Sequence, residues 1–455
     1  MLSQLPRNPR QWLLLSILAV LAVMISNLYF KEIREIANTP LSSDFYKFYL
    51  SSQRFYEGDA IYWPALPSLS PGDPCYREAS EGITIYFNIP AGEKACLHPN
   101  MNPPILSILI LPLSLLDYPI ACWIFSISSL LCGAWALLLI LHQNKHGSHH
   151  PYLPLSSIIA AILIFYSYFP VFATISYGQI SLFLLLLLTK SWIALRNNNQ
   201  VRGGFILGIA ASIKPFIGLF FIALLFSKNW RAATAFTKAF VSIFLIGGLI
   251  TGFQTYNDYL VTLKSITWYS TNWNASFVGF FSRLFGGGES TPWIDAPSIT
   301  QAASMICCLL ITFIIAKINL KTDSNQHNST LKSDIIFLLT IPAMLIMSPL
   351  GWLYYFPLLI ISINIIFDYT KNIKSNNFYR ILLVLLIIPT SFPSALLGQK
   401  EINTPYIWLV DASMYFYILL SIFGLAVYVS KTKIQKKNAH DSQKSVADYS
   451  SGVYD

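Results

Sequence analysis

Residues 11–30 form a run of twenty without one charged side chain. That length matches the roughly 20 residues an α-helix needs to cross the hydrocarbon core of a bilayer. Similar runs recur along the chain. Residues 181–188 are nearly continuous Leu, 205–226 are interrupted only by Lys214, and 409–430 contain only Asp411. Charged residues make up 11% of the sequence and hydrophobic ones 54%, whereas a soluble domain carries about 25% charged residues. Too little polar surface exists to cover a water-exposed body. The pattern predicts an all-α, polytopic transmembrane bundle of about ten to twelve membrane segments, with residues 1–430 as a single domain. The first run is too long for the apolar core of a cleaved signal, and no small-residue cleavage site follows it, so it reads as an uncleaved anchor.

The net charge of +9 raises nucleic acid as a partner, but the placement of the basic residues explains the charge without one. They sit in short connectors: Arg7 and Arg10, Arg196 and Arg202, Lys228 and Arg231, Lys317 with Lys321 and Lys332, and Lys371 with Lys374 and Arg380. The tail adds Lys431, Lys433, Lys436 and Lys437. Such connectors stay on the cytoplasmic side, which predicts that both termini do too, in a plasma (inner) membrane of bacterial type. Two long polar loops, 31–103 and 254–298, then fall outside. Long loops of this kind are functional or disordered, and their aromatic content argues against disorder. They predict short amphipathic helices at the membrane interface. The polar tail, 431–455, predicts a disordered cytoplasmic segment.

Two stretches leave their crossings open. Residues 104–142 carry Pro112 and Pro119 and fit one crossing or two short ones. Residues 203–226 are broken at Lys214-Pro215, because proline stops or kinks the helix before it. A hairpin that rises to Lys214-Pro215 and returns keeps both flanking basic connectors on one side. Lys214, a lone ammonium in apolar sequence, either snorkels to the interface or marks a binding site at a broken membrane helix. Asp44 follows the first helix in Ser42-Ser43-Asp44-Phe45-Tyr46-Lys47; alone, a loop Asp is ordinarily just solvated. Further polar stations are Asn102-Pro103-Pro104, Tyr177-Gly178-Gln179, and Ser348-Pro349 followed by Trp352, Tyr354 and Tyr355. Cys122, Cys132, Cys307 and Cys308 lie in apolar runs and read as packing residues. Cys75 and Cys96 share the first loop, where a disulfide and two free thiols are both open readings. No metal-ligand spacing appears.

Together these stations resemble glycosyltransferase family 87, polyprenyl-phosphate-dependent hexosyl- and pentosyltransferases of the GT-C superfamily. The order is an Asp after the first helix, then Asn-Pro-Pro leading into Leu111-Pro112-Leu113-Ser114, then Gly178-Gln179. Gly208-Ile209-Ala210-Ala211-Ser212-Ile213-Lys214-Pro215 follows with Trp230-Arg231. Asn274-Ala275-Ser276-Phe277-Val278-Gly279 comes next, and Ser348-Pro349 with Trp352 and Tyr354-Tyr355 closes the series. The similarity spans about residues 10–430 in this order. Two departures stand out: Tyr354 or Tyr355 occupies the place expected to hold His, and Asp44 has no second acid beside it in its segment.

The resemblance implies an enzyme that moves a sugar (mannose, another hexose, or a pentose) from a polyprenyl-phosphate donor to a hydroxyl of a glycan or glycolipid on the external face. Asp44 is then the general base, and Lys214 with Lys47 holds the donor phosphate, whose charge grows as it leaves. Asn102, Gln179, Asn274, Trp352, Tyr354 and Tyr355 are the expected substrate-binding side chains. A single inverting displacement needs neither metal nor cofactor by this logic, and the partners are donor, acceptor and lipid bilayer. A transporter or lipid flippase would share the helices and the lone Lys214 but usually shows internal repeats, and none is seen in the sequence. A non-catalytic scaffold for envelope assembly would leave Asp44 and Lys214 replaceable. The orientation has a direct check. Cysteines introduced near residues 60 and 285 should react with a membrane-impermeant thiol reagent in intact cells, and one at 325 or 435 should not. External labelling at 325 overturns the orientation.

Overall fold

Hydrocarbon offers backbone N–H and C=O groups no partner, so an apolar chain of this kind resolves into helices that satisfy those groups internally. The computed structural model of the protein describes residues 9–62, 85–88, 94–97, 100–143, 154–264, 266, 268–288, 292–322, 329–371, 376–391 and 413–451. Among these the chain is helical apart from one short antiparallel strand pair. Helix α1 (Pro9–Asn38) is followed by α2 (Asp44–Glu57), then by strands β1 (Ile85–Asn88) and β2 (Lys94–Leu97), with Tyr86 opposite Cys96. Cys75 lies outside the described residues, and with it the disulfide question. Next come α3 (Pro104–Ser114), α4 (Tyr118–Gln143), α5 (Leu155–Ser167), α6 (Phe169–Ser176), α7 (Ser181–Arg196) and α8 (Gln200–Ile213). A 3-10 turn, Pro215–Gly218, leads to α9 (Leu219–Phe226), α10 (Trp230–Thr251), α11 (Gln254–Lys264) and α12 (Phe277–Phe285). The chain continues through α13 (Pro297–Thr322), α14 (Ser329–Met347), a 3-10 segment Leu353–Leu359, α15 (Ile360–Thr370), α16 (Asn376–Ile387) and α17 (Met414–Ser451).

Seven of the described helical stretches are long and apolar enough to cross a membrane, or up to eight if α5 and α6, bent by 59°, make one span. The protein is therefore a multi-pass membrane protein. Beside the long helices, several apolar stretches are broken into short ones, among them α3, α8 and α9. Residues 104–142 become one short helix, α3, and one full-length helix, α4. The two loops carry the short helices α2, α11 and α12. Helix α17 continues past Lys431 to Ser451. Its Lys, Gln and Ala are good helix formers, and neither Gly nor Pro falls between Gly424 and Gly452.

Close backbone packing sets the course of the broken segment. A Cβ on Gly204 would lie 2.0 Å from the Ala232 carbonyl oxygen, and one on Gly208 would lie 2.4 Å from that of Phe236. Small residues let helices in a membrane approach this closely. Because 204 meets 232 and 208 meets 236, α8 and α10 run parallel. The chain between them, the 3-10 turn and α9, has to travel back, so residues 200–226 make the hairpin expected from Lys214-Pro215.

The helix ends sort the molecule into two faces. At one end, Ser329 Oγ donates to the Arg196 carbonyl at 2.9 Å, and Lys433 sits 4.8 Å from the Tyr369 ring centre. Buried Asp334 accepts from Trp192 Nε1 at 2.8 Å and from Tyr369 Oη at 2.9 Å, with Arg196 Nε 3.4 Å away. This acid ties α7, α14 and α15 together beside the basic connectors. Following those helices away from it leads, at the opposite end, to Ser181, Met347 and Leu353, where the polar stations gather. Removing the carboxylate strands Arg196 and two buried donors. Asp334→Ala should cost about 3–5 kcal/mol, with Asp334→Asn milder because it keeps an acceptor oxygen. Loss of the monodisperse detergent peak on heating measures this, and an unchanged Asp334→Ala midpoint refutes the role.

Candidate functional site

Asp44 is held by its own helix and by a distant turn. Ser43 caps α2, its hydroxyl accepting from Phe45 N at 3.2 Å, an arrangement that satisfies a free N–H of the first turn. The Asp44 N–H donates to the Tyr177 carbonyl at 2.9 Å. Gly178 makes this approach feasible: its φ is +59°, and a Cβ there would lie 2.3 Å from Ser43 Oγ and 2.7 Å from Phe45 Cβ. Only glycine fits both the left-handed conformation and the contact. The next residue, Gln179, donates through Nε2 to one Asp44 oxygen, and Lys47, one turn along α2, pairs with the other. The carboxylate is thus clamped on both oxygens yet remains partly open to the space in front of it, with 22% of its side chain exposed. Gln179 and Asn102 are buried, and the side-chain oxygen of each lacks a hydrogen-bond partner among the described residues. Of the other acids near Asp44 in sequence, Asp59 pairs with Arg54 at 3.3 Å, and neither it nor Glu57 lines the cavity described below.

Lys214 lies at the tip of the hairpin. Pro215 cannot continue α8 and biases the residue before it toward extended backbone, and Lys214 adopts φ −134°, ψ 104°. No described carboxylate lies within ion-pair distance of its ammonium, which instead stands 5.3 Å from the centre of the Tyr355 ring.

The third wall is a pair of loops fastened to each other. Asn274 donates through Nδ2 to the carbonyls of Tyr269 and Pro349, each at 2.9 Å, and its Oδ1 accepts from Gly351 N at 2.9 Å. Ala275 N donates to the Gly351 carbonyl at 2.9 Å. Arg283 on α12 reaches back to the carbonyls of Thr271 (2.8 Å) and Asn274 (3.2 Å) and to Ser413 Oγ (2.8 Å). Trp273 packs 5.2 Å from Trp352 and 5.0 Å from Tyr177. The result is a rigid aromatic corner.

These pieces enclose a cavity of about 400 Å³ lined by Asp44, Lys47, Asn102, Gln179, Lys214, Trp352, Tyr354 and Tyr355. Eight of the nine side chains singled out in the sequence therefore face one space. Asn274 does not: it is fully buried behind the wall, with its amide committed to backbone groups. It braces the Trp352 loop rather than presenting a contact. Tyr259 and Tyr269, within the second loop, also line the cavity, and burial raises both phenols above their ordinary pKa. Sequence reasoning noted that loop's aromatics without separating these from the rest. It missed Arg283 and Trp273 as well, since nothing local marks a residue whose partners are carbonyls or rings of other segments. Among the described residues the charged groups on the wall are one carboxylate and two ammoniums, with Lys47 already paired to Asp44. A carboxylate able to take a proton, an ammonium open to an anion and aromatic faces converge on one volume.

A search of curated proteins gives no match to this chain. A family model, that of glycosyltransferase family 87, matches residues 100–349. The match takes in Asn102, Gln179, Lys214 and Asn274, begins beyond Asp44 and ends just before Trp352. Because it covers more than half of the sequence, this chain belongs to glycosyltransferase family 87.

Proposed function

We propose that this membrane glycosyltransferase moves a hexose or pentose, mannose being one such sugar, from a polyprenyl-phosphate donor to a hydroxyl of a glycan or glycolipid on the external face of the membrane. The observation that carries the reading is the pairing, in one cavity, of the clamped Asp44 carboxylate with the Lys214 ammonium, which has no described carboxylate within ion-pair distance. Among the described residues, one carboxylate and two ammoniums line the cavity and leave a single positive charge, which complements the single negative charge of a phosphodiester between lipid and sugar. The wall beside Lys214 is apolar, with Leu219, Ile222 and Met344, as suits a donor that arrives from the bilayer. The external placement rests on the basic connectors gathering at the other end of the helices.

In this mechanism an Asp44 oxygen accepts the proton of the attacking hydroxyl. The acceptor oxygen bonds to the anomeric carbon from the face opposite the phosphate. The bond from that carbon to the phosphate oxygen breaks, and its electron pair leaves with the lipid phosphate. Configuration inverts in one displacement. Lys214 meets the charge that grows on the departing oxygen, and Lys47 both holds Asp44 and offers its remaining N–H groups to the phosphate. Gln179 fixes the orientation of Asp44, and Asn102 presents its open side-chain oxygen to sugar hydroxyls. Trp352 and Tyr354 supply ring faces for the sugar. None of these steps calls for a metal or other cofactor.

The test is purified protein with radiolabelled polyprenyl-phosphate sugars and a panel of acceptor glycans and lipids. Asp44→Asn keeps the shape and loses the basicity, so turnover should fall by about 10²-fold or more while donor binding survives. Lys214→Ala should weaken donor binding and slow turnover as well, because the charge it meets is larger in the transition state. Lys214→Arg should restore part of both. A fully active Asp44→Asn protein rules out this base.

A further inference from the structure

The two lysines of the cavity are held differently. Lys47 is bonded to a carboxylate. Lys214 is held by a ring: its Nζ lies 5.3 Å from the centre of Tyr355, which is itself 3% exposed. That ring cannot move aside easily. Phe216, two residues after Lys214, meets it at 64° with centres 5.0 Å apart, and Tyr354 meets it at 70° and 4.8 Å. The Tyr355 N–H is bonded to the Trp352 carbonyl at 2.9 Å. Lys214 and Phe216, on either side of the Pro215 break, thus both pack against one buried ring.

The choice of partner has a chemical consequence. A carboxylate beside Lys214 would neutralise it, and an arriving phosphate would have to displace that carboxylate. An aromatic face attracts an ammonium through its quadrupole and carries no net charge, so it orients the cation and leaves its charge for an anion. We propose that Tyr355 is a positioning residue that holds the Lys214 ammonium in place, charged and unneutralised, for the phosphate of a lipid-phosphate ligand. This assignment rests on the donor-phosphate role proposed for Lys214, and it makes the ring face, not the hydroxyl, the operative part of Tyr355.

The experiment measures binding of undecaprenyl phosphate in detergent micelles, together with donor KM and kcat, for proteins that first pass a monodispersity and thermal-stability check. Tyr355→Phe should bind within about twofold of the parent, since it keeps the ring face. Tyr355→Leu should bind about 3- to 30-fold more weakly, from the ordinary range of ring–cation attraction. Its donor KM should rise in step while kcat changes much less. In a Lys214→Ala background, Tyr355→Leu should add nothing further, as expected of two residues acting through one contact. If Tyr355→Leu does not yield folded protein, Tyr355→Met, closer in length, carries the same test. Equal losses for Tyr355→Phe and Tyr355→Leu, unchanged binding by Tyr355→Leu, or an undiminished loss in the Lys214→Ala background each overturn the positioning role. Unchanged binding by Lys214→Ala alone overturns the phosphate role beneath it. A weakened Lys214→Ala with a normal Tyr355→Leu removes only the inference about the ring.

Discussion

Pro215 has no backbone N–H and a ring that excludes a continuing helix, and the surrounding structure is arranged around that loss. In hydrocarbon a broken helix strands polar groups unless neighbouring protein shelters them. Here the break turns a stretch long enough to span the bilayer into a hairpin. α8 rises against α10, with Gly204 and Gly208 seated on the partner's carbonyls, and α9 returns. At the tip of the hairpin, Lys214 lines the cavity. Without the close parallel contact of α8 and α10 the tip would not be held there.

The Asp44 side of the cavity depends on a separate device. Asp44 begins α2, where a lone carboxylate would ordinarily be mobile and solvated. Gly178 allows the Tyr177 carbonyl and the Gln179 amide to close on it, and Lys47 completes the clamp. The opposing wall obtains its rigidity from Asn274 and Arg283, whose polar atoms are spent on loop carbonyls. The transfer proposed above would gain from such stiffness, since misplacing a reacting group by about 1 Å is costly. Far from the cavity, buried Asp334 fastens α7, α14 and α15 at the end that carries the basic connectors. The bundle is thus pinned at both ends by polar contacts, where apolar packing alone leaves helices in lipid free to shift.

Composition and the placement of Lys and Arg were enough to read a multi-pass helical membrane protein, because the bilayer imposes length and charge rules on each segment independently. The hairpin at Lys214-Pro215 was legible for the same reason: proline acts on its own neighbours. Which other apolar stretches break into short helices was less legible, since whether a stretch stays whole depends on what packs beside it.

The sequence by itself determined the membrane class, the helix break with its lysine, and the set of polar stations from which the family could be recognised. Only the tertiary structure decided what those stations do. Asp44 and Gln179 are 135 positions apart, and the bond between them, like the ring beneath Lys214, exists only once separate helices have packed. Asn274 shows the limit most clearly. As a polar residue in a motif it looked like a contact for substrate, yet packing turns its amide inward to brace the Trp352 loop. A side chain's type sets which bonds it can make, and the distant segments that surround it set which of them it does make.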